Sequence, residues 1–511
     1  MPSSPNDPGD HRATPPPWSA RLESAPALLG LFAVWLLATL GWRPLLLPDE
    51  GRYASVAREM LLGRSWQDWL VPTLNGLPFF HKPPLFYWLD MLAMQLVGTN
   101  AFTARFASML GAWLMGAALY FTLRRWHGAR TAAIALGVLA TCPFFFIGAQ
   151  YANHDMLVAG LISAAVLAFA RALDEPLRVQ LNWLVAGWVA CALAMLAKGL
   201  IGFVLPALVI GPWLLAQGRW REMLRLLHPL GLLAFALVAA PWFVAMQARY
   251  PGFFDYFFME QHFRRFAQSN FNNVHPFWFF IVVLPALTLP WSAWLPQAAQ
   301  RAWGQRDARI GLCAWWIVAV VGFFSLPSSK LVGYVLPAMA PWCALLALPL
   351  AQGRGRAWPW VMGASALVCV AIVAAFAWTA PKSNRAASLA LAAQIGSGDR
   401  VVMVDEYFYD MPFDARLKAP VIIASDWADP LLPTRDNWRK ELFDAARFDP
   451  ALGRELLRPL DRLDALLCGS GTVWFLVDPG RAPQVAGLAG ITRTFADART
   501  ELWRAPMHAC P

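Results

Sequence analysis

Charge is what this sequence has least of. Only 14% of its 511 residues are Asp, Glu, Lys or Arg, against about a quarter in soluble domains. With 58% hydrophobic residues, the chain reads as a membrane protein before any segment is inspected. The net charge of +10 does not signal a nucleic-acid partner. Most arginines fall in short loops between apolar runs, which is the orientation pattern of an inner-membrane protein. Cysteine is also scarce. Cys142, Cys191, Cys313, Cys343 and Cys369 lie inside apolar runs and read as small core residues. Cys468 and Cys510 sit in a more polar tail and suit a disulfide if that tail is exported. Internal repeats are lacking, which argues against the symmetric build of many transporters. The first apolar run lacks a small-residue cleavage site, so it reads as a retained span.

What is present is a series of apolar runs and 27 Trp, the residue that settles at water–lipid boundaries. Residues 1–24 are Pro- and Ser-rich and are expected to be a disordered cytoplasmic tail. Apolar runs follow at 25–41, 105–123, 131–149, 156–172, 183–197, 200–217, 229–247, 276–296, 310–326, 331–350 and 358–380, several near the roughly 20 residues a crossing helix needs. "FYWLDMLAMQLV" (86–97) is short and carries Asp90. "GRYASVAREMLLGRSW" places Tyr53, Val56, Ala57, Met60 and Leu61 at helical spacing. Residues 42–103 therefore read as one external loop with two helices lying on the membrane. With the N-terminus inside, "RRWHGAR", "RALDEPLR", "QGRWREMLRLL", "QRAWGQRDAR" and "QGRGRAW" all fall on the cytoplasmic side. The expectation is a transmembrane domain over 25–381 with eleven spans, or up to thirteen. Beyond Pro381, "GDRVVMVDEYFYDMPFDARLKAPVIIAS" and "GTVWFLVDPG" read as strands around a helical stretch at 436–466, giving a small periplasmic α/β domain over 382–511.

The external ends carry charged residues, and the cations among them run against the orientation rule. These residues are Asp49, Glu50 and Arg52, with Tyr53 beside them; His81 and Lys82 in "FFHKPPLFYW"; His154 and Asp155 in "YANHDML"; Lys198 in "MLAKGLIG"; Glu260, His262, Arg264 and Arg265 in "FFMEQHFRRF"; and Lys330 and Tyr334 in "LPSSKLVGYVLP". A charge near a span is costly unless it meets water or a partner. Taken singly, a lysine at a span end is an ordinary snorkelling anchor, and Asp155 is a helix N-cap. His81, His154, His262 and His275 have no metal-ligand spacing; the sequence points to no definite cofactor, and a divalent metal stays open. Together, acids and bases from six segments on one side suggest a polar cavity for an anionic lipid headgroup.

These segments resemble the membrane glycosyltransferases that use polyprenyl-phosphate sugars, namely the protein O-mannosyltransferase group and, more closely, the aminoarabinose transferases acting on lipid A. The resemblance rests on "PDEGRYASVAREML", "PTLNGLPFFHKPPLFYW", "NHDMLVAG", "LAKGLIGFVLP", "PWFVAMQARYPGFFDYFFMEQHFRRF" and "SSKLVGYVLPAMAP", in order from about 45 to 345. One departure is His81, which precedes "KPP" where the family usually carries Glu. The resemblance implies an α-helical polytopic fold of the GT-C type with its active site at the periplasmic membrane face. It implies Asp49 as the catalytic residue, and Lys82, Lys198 and Arg264 in binding the lipid phosphate.

The chemistry expected is one displacement at a sugar C1, with inversion and a lipid phosphate as leaving group. Cations placed at that phosphate stabilise the transition state more than the ground state. Asp49 is either a general base toward a hydroxyl acceptor or an orienting group if the acceptor is an already anionic phosphate. Lipid A is the leading acceptor. A protein O-glycosyltransferase is the alternative within enzymes, and a lipid-linked-sugar transporter or flippase is the rival from another class.

Overall fold

The computed structural model describes residues 24–509 apart from 64, 265–272, 305–306, 354–356 and 381. The tail expected over 1–24 lies outside the described residues except for Ser24. Among the described residues seven helices are long and apolar enough to cross a membrane: Thr103–His127, His154–Ala172, Val179–Lys198, Pro229–Arg249, Ala308–Ser325, Val332–Ala351 and Trp358–Thr379. Two further runs are not straight. Ala129–Thr141 and Pro143–Ala149 meet at 68°, and Phe279–Leu287 and Trp291–Ala302 at 106°. The first break falls at Pro143, whose ring cannot continue a helix. The remaining two of the eleven apolar runs are the shorter helices Ala25–Leu37 and Ile201–Ala216. Length alone thus supports seven crossings, or nine with the bent pairs, in a multi-pass membrane protein.

His154–Ala172 is the central helix, buried nearly all round. It packs against Thr103–His127 through glycines: a Cβ on Gly160 would run into the Gly111 carbonyl. Small residues let helices approach closely where lipid offers no hydrophobic drive. The spans have two chemically distinct ends. At one, Trp126 donates to Asp174 (2.7 Å), Arg309 pairs with Asp174 (3.2 Å) and Arg171 with Glu175 (2.7 Å). At the other, residues from 43–52, 150–155, 198 and 334 converge beneath the C-terminal region.

The C-terminal region holds a six-stranded sheet in the order Leu457–Pro459, Ile422–Ser425, Arg400–Val404, Thr472–Val477, Glu501–Pro506, Thr492–Ala496. Arg400–Val404 is central, parallel to both neighbours, with Val402 and Val404 on one face and Val401 and Met403 on the other, all buried. Strands buried on both faces read as continuous apolar runs, which is why "VVMV" and "VWFLV" were legible. The helical pattern expected over 436–466 stops at Leu456, where the chain enters the sheet as an edge strand ending in Pro459; proline there lacks the N–H that an inner strand would need. Cys468 is disulfide-bonded, whereas Cys142, Cys191, Cys313, Cys343 and Cys369 are free and buried. Cys510 lies outside the described residues.

The loop over 42–103 is roofed by this region. Helix Asp49–Leu62 buries Tyr53, Ala54, Ser55, Val56 and Met60. Ser55 Oγ donates to the Tyr409 carbonyl at 2.8 Å. A Cβ on Gly51 would sit 2.7 Å from the Asp410 nitrogen, so glycine is what permits this approach. Asn75 and Gly76, both at positive φ, turn the hairpin Thr73–Leu74 to Leu77–Pro78. Its Asn75 side chain exchanges two 2.8 Å hydrogen bonds with the backbone of Val421. Helix Leu85–Val97 keeps Leu96 and Val97 exposed, while buried Asp90 accepts from the Ala107 N–H at 2.8 Å and so seats the start of the next span.

Candidate active site

Asp49 and Glu50 open one helix and have opposite surroundings, because successive helical side chains point about 100° apart. Glu50 is fully buried. Its oxygens meet Arg43, Arg105 (2.8 Å) and the backbone N–H groups of Leu46 and Ala152 (2.9 Å each). Burial resists its ionisation, yet the Arg105 and Arg43 guanidiniums outweigh it and hold the carboxyl at about 2. Glu50, expected among the binding residues, is a saturated anchor whose carboxylate has no open side for substrate. A buried charge is tolerable only with partners of this kind.

Asp49 is the open carboxylate, with 26% of its side chain exposed. It pairs with Arg52 and accepts from Asn153 Nδ2 at 3.3 Å. Asn153 also caps the central span, its Oδ1 accepting from the Asp155 N–H at 2.9 Å. The cap is therefore Asn153 and not Asp155. One side of the Arg52 guanidinium meets Asp49 and the other meets Glu441 from the C-terminal region. The group lies over the rings of Tyr53 (5.1 Å) and Tyr409 (5.4 Å), a favourable setting for a cation. Tyr409 Oη donates to Glu441 Oε2 at 2.6 Å.

Lys198 ends its span and pairs with Asp155 at the start of the central one. Its ammonium lies 4.6 Å from the Tyr334 ring centre. Gly333 packs against the Asp155 carboxylate, leaving no room for a larger side chain. Beside them His154 is fully buried in an aromatic box of Phe86 (4.4 Å), Tyr53 (4.5 Å) and Tyr87 (5.1 Å). Lys82, Lys198 and Arg52 all lie within electrostatic range of that ring. Asp49, Arg52, Tyr53, Lys82, Asp155, Lys198 and Tyr334 thus share one neighbourhood.

The other expected residues have contacts of their own. His81 packs on Phe79 (4.5 Å) and Tyr256 (6.0 Å). Glu260 reaches Arg447 of the C-terminal region at 3.5 Å. Lys330 is buried, its ammonium donating to the carbonyls of His275 (2.9 Å) and Pro327, so it fastens a loop. The side chains of His262 and Arg264, and all of Arg265, lie outside the described residues. Among the described residues no group of three or more His, Cys, Asp or Glu is arranged to hold a metal. Sequence reasoning missed Glu441, Tyr409 and Asn153 as members. Only Asn153 carried a local signal, as an N-cap residue type before an apolar run.

The family described as dolichyl-phosphate-mannose-protein mannosyltransferase matches residues 81–244. Curated relatives named undecaprenyl phosphate-alpha-4-amino-4-deoxy-L-arabinose arabinosyl transferase are similar to this chain. The Erwinia tasmaniensis protein is 37% identical over 323 residues, 62% of this chain and 57% of the relative. The Aeromonas salmonicida protein is 36% identical over 364 residues, 69% of this chain and 65% of the relative. The chain therefore aligns with less than two thirds of the length of these relatives. ArnT from Cupriavidus metallidurans bound to undecaprenyl phosphate superposes with a TM-score of 0.82 at 22% identity, over 97% of this chain and 99% of that one. The archaeal oligosaccharyltransferase AglB from Archaeoglobus fulgidus, in complex with an inhibitory peptide and a dolichol-phosphate, gives 0.51 at 14% identity, over 91% of this chain and 70% of that one. At these identities the two structures speak for the fold.

Proposed function

We propose that this chain is a membrane glycosyltransferase that draws on polyprenyl-phosphate sugars, and that it transfers 4-amino-4-deoxy-L-arabinose from a polyprenyl phosphate to lipid A. We place it in the bacterial inner membrane with its site on the periplasmic side. The observation that carries the reading is one open carboxylate set among fixed cations. Asp49 pairs with Arg52 and is linked through Asn153 to the Asp155–Lys198 pair.

The reaction is a single displacement at C1 of the sugar. Lys82 and Lys198 bind the carrier phosphate, whose negative charge grows as the bond to C1 breaks, so their attraction is strongest in the transition state. Asp49 takes the proton of a hydroxyl acceptor; for a phosphate acceptor, already anionic, it orients the attacking group with Arg52. The product is inverted at C1. A retaining route needs a second carboxylate free to act as nucleophile, yet Glu50 is saturated and Asp155 and Glu441 are ion-paired. A flippase would place its charges near the bilayer midplane, whereas these gather at one end beneath a folded region.

The test is a purified-enzyme assay with polyprenyl-phosphate sugars and lipid A, read by mass spectrometry. Lipid A should gain one aminoarabinose. Glycosylated peptide with unmodified lipid A would replace this acceptor by a protein, and sugar lipid crossing vesicles without transfer would replace the enzyme by a flippase.

A further inference from the structure

We infer that Glu441, supplied by the C-terminal region, is a positioning residue of the transfer reaction: it fixes Arg52 so that Asp49 stays aimed at the acceptor. The inference rests on the glycosyltransferase reading and deepens it. Arg52 and Glu441 are 389 positions apart in the chain, yet they form an ion pair with side-chain exposures of only 13% and 11%. Both Glu441 oxygens are committed, Oε1 to Arg52 and Oε2 to the Tyr409 hydroxyl. The residue sits in the first turn of helix Trp438–Ala446, whose start is held by Asn437 accepting from the Lys440 N–H at 3.1 Å. Its backbone is therefore fixed, and Tyr409 fixes its rotamer.

Arg52 depends on that support. Its Nε is buried and makes no hydrogen bond among the described residues. Among the described residues the orientation of the guanidinium is set by its two carboxylates, with Tyr53 and Tyr409 as ring surfaces beneath it. Among the described residues Asp49 is held by Arg52 and the long Asn153 bond. Without the Glu441 charge, the guanidinium turns with Asp49 and the carboxylate loses its aim. A displacement of this kind is enough to slow chemistry when the reacting atoms must be held within a fraction of an ångström. Glu441 is not needed to seat the region. Asn75 on Val421, Ser55 on Tyr409, and the Leu47 N–H on the Lys382 carbonyl (2.9 Å) do that independently.

The experiment compares the full-length parent with E441Q, E441D and Y409F in nanodiscs, measuring kcat, donor KM and thermal melting. E441Q keeps the shape and a hydrogen-bonding oxygen but removes the charge. Its kcat should fall about tenfold or more with donor KM within about threefold of the parent. E441D should recover part of the loss, Y409F should show a smaller one, and melting should stay within a few degrees. An E441Q enzyme with parental kcat overturns the inference, as does a loss confined to KM or one that follows a collapsed melting transition. A parent that transfers no sugar overturns the glycosyltransferase reading and this role with it, so the two failures are told apart.

Discussion

Asn153 donates to the Asp49 carboxylate across 104 positions of sequence while its own oxygen caps the helix that carries Asp155. The open acid and the Asp155–Lys198 pair are therefore joined through one small amide. Replacing Asn153 by Ala should cost about 1 kcal/mol as a lost cap and, in addition, lower kcat. Asn153→Asp keeps a capping oxygen but sets a like charge beside Asp49. Parent-like melting with reduced turnover is the expected result for Asp. Full turnover in both variants would leave Asn153 as a cap alone.

Asp49→Asn should abolish transfer while expression and melting stay near the parent, because the side chain is partly open to water. More than about a tenth of parental activity, where tenfold corresponds to about 1.4 kcal/mol in the barrier, would remove Asp49 from the reaction.

Lys198→Ala and Lys82→Ala should each lower kcat/KM by about tenfold or more, since charge on the departing phosphate is stabilised chiefly in the transition state. Arginine should rescue only partly, its planar head fitting a different pocket. Lys198→Ala should also destabilise, as it leaves Asp155 buried without its cation. Parental turnover in both would reduce the two lysines to membrane anchors.

Gly51→Ala places a methyl against the Asp410 backbone. Overpacking of this kind costs about 1–3 kcal/mol, so protease should cut between the membrane part and the C-terminal region faster than in the parent. Unchanged proteolysis would mean that the contact yields at little cost.

Glu59, Glu406 and Asp414 are each pushed up to about 7, in every case chiefly by burial. A carboxyl raised in the folded state binds its proton more tightly there than when unfolded. Its contribution is complete below the unfolded value and is lost as pH climbs to the folded one. Melting temperature should therefore fall between about pH 4.5 and 7, the window bounded by the usual and the raised carboxyl values, and Glu59→Gln should flatten part of that slope. A melting temperature that rises through this window would contradict the assignment.

The spans were legible because long apolar runs have few alternatives in lipid, and the buried strands because both their faces are apolar. The bends at 142–143 and 288–290 were not, since hydropathy averages over a proline. Within the site, Asp49, Arg52, Lys82 and Lys198 were visible as charges that lipid disfavours. Glu50 carried the same signal yet is buried on Arg43 and Arg105, because adjacency in sequence says nothing about which way a helix turns each side chain. Lys330 carried the signal too, and its ammonium donates to loop carbonyls. Glu441 and Tyr409 were hidden altogether. A carboxylate in an ordinary polar helix gains meaning only when tertiary structure sets it on an arginine from the other part of the chain.

The bend after Thr141 also bears on how the protein is made. Breaking that helix releases the Thr141 carbonyl, and the groups that take it up are Ser365 Oγ at 2.6 Å and Cys369 Sγ at 3.5 Å, both on Trp358–Thr379. That last helix is otherwise largely exposed along its length. A ribosome emits residue 141 more than two hundred positions before residue 365. Until then the carbonyl has no protein partner from this helix in a medium that offers no water. The last of the apolar runs, Trp358–Thr379, therefore supplies the partners that close the break. Synthesis stopped short of Trp358 should thus leave a membrane intermediate whose weak point is the third apolar run rather than its unfinished end.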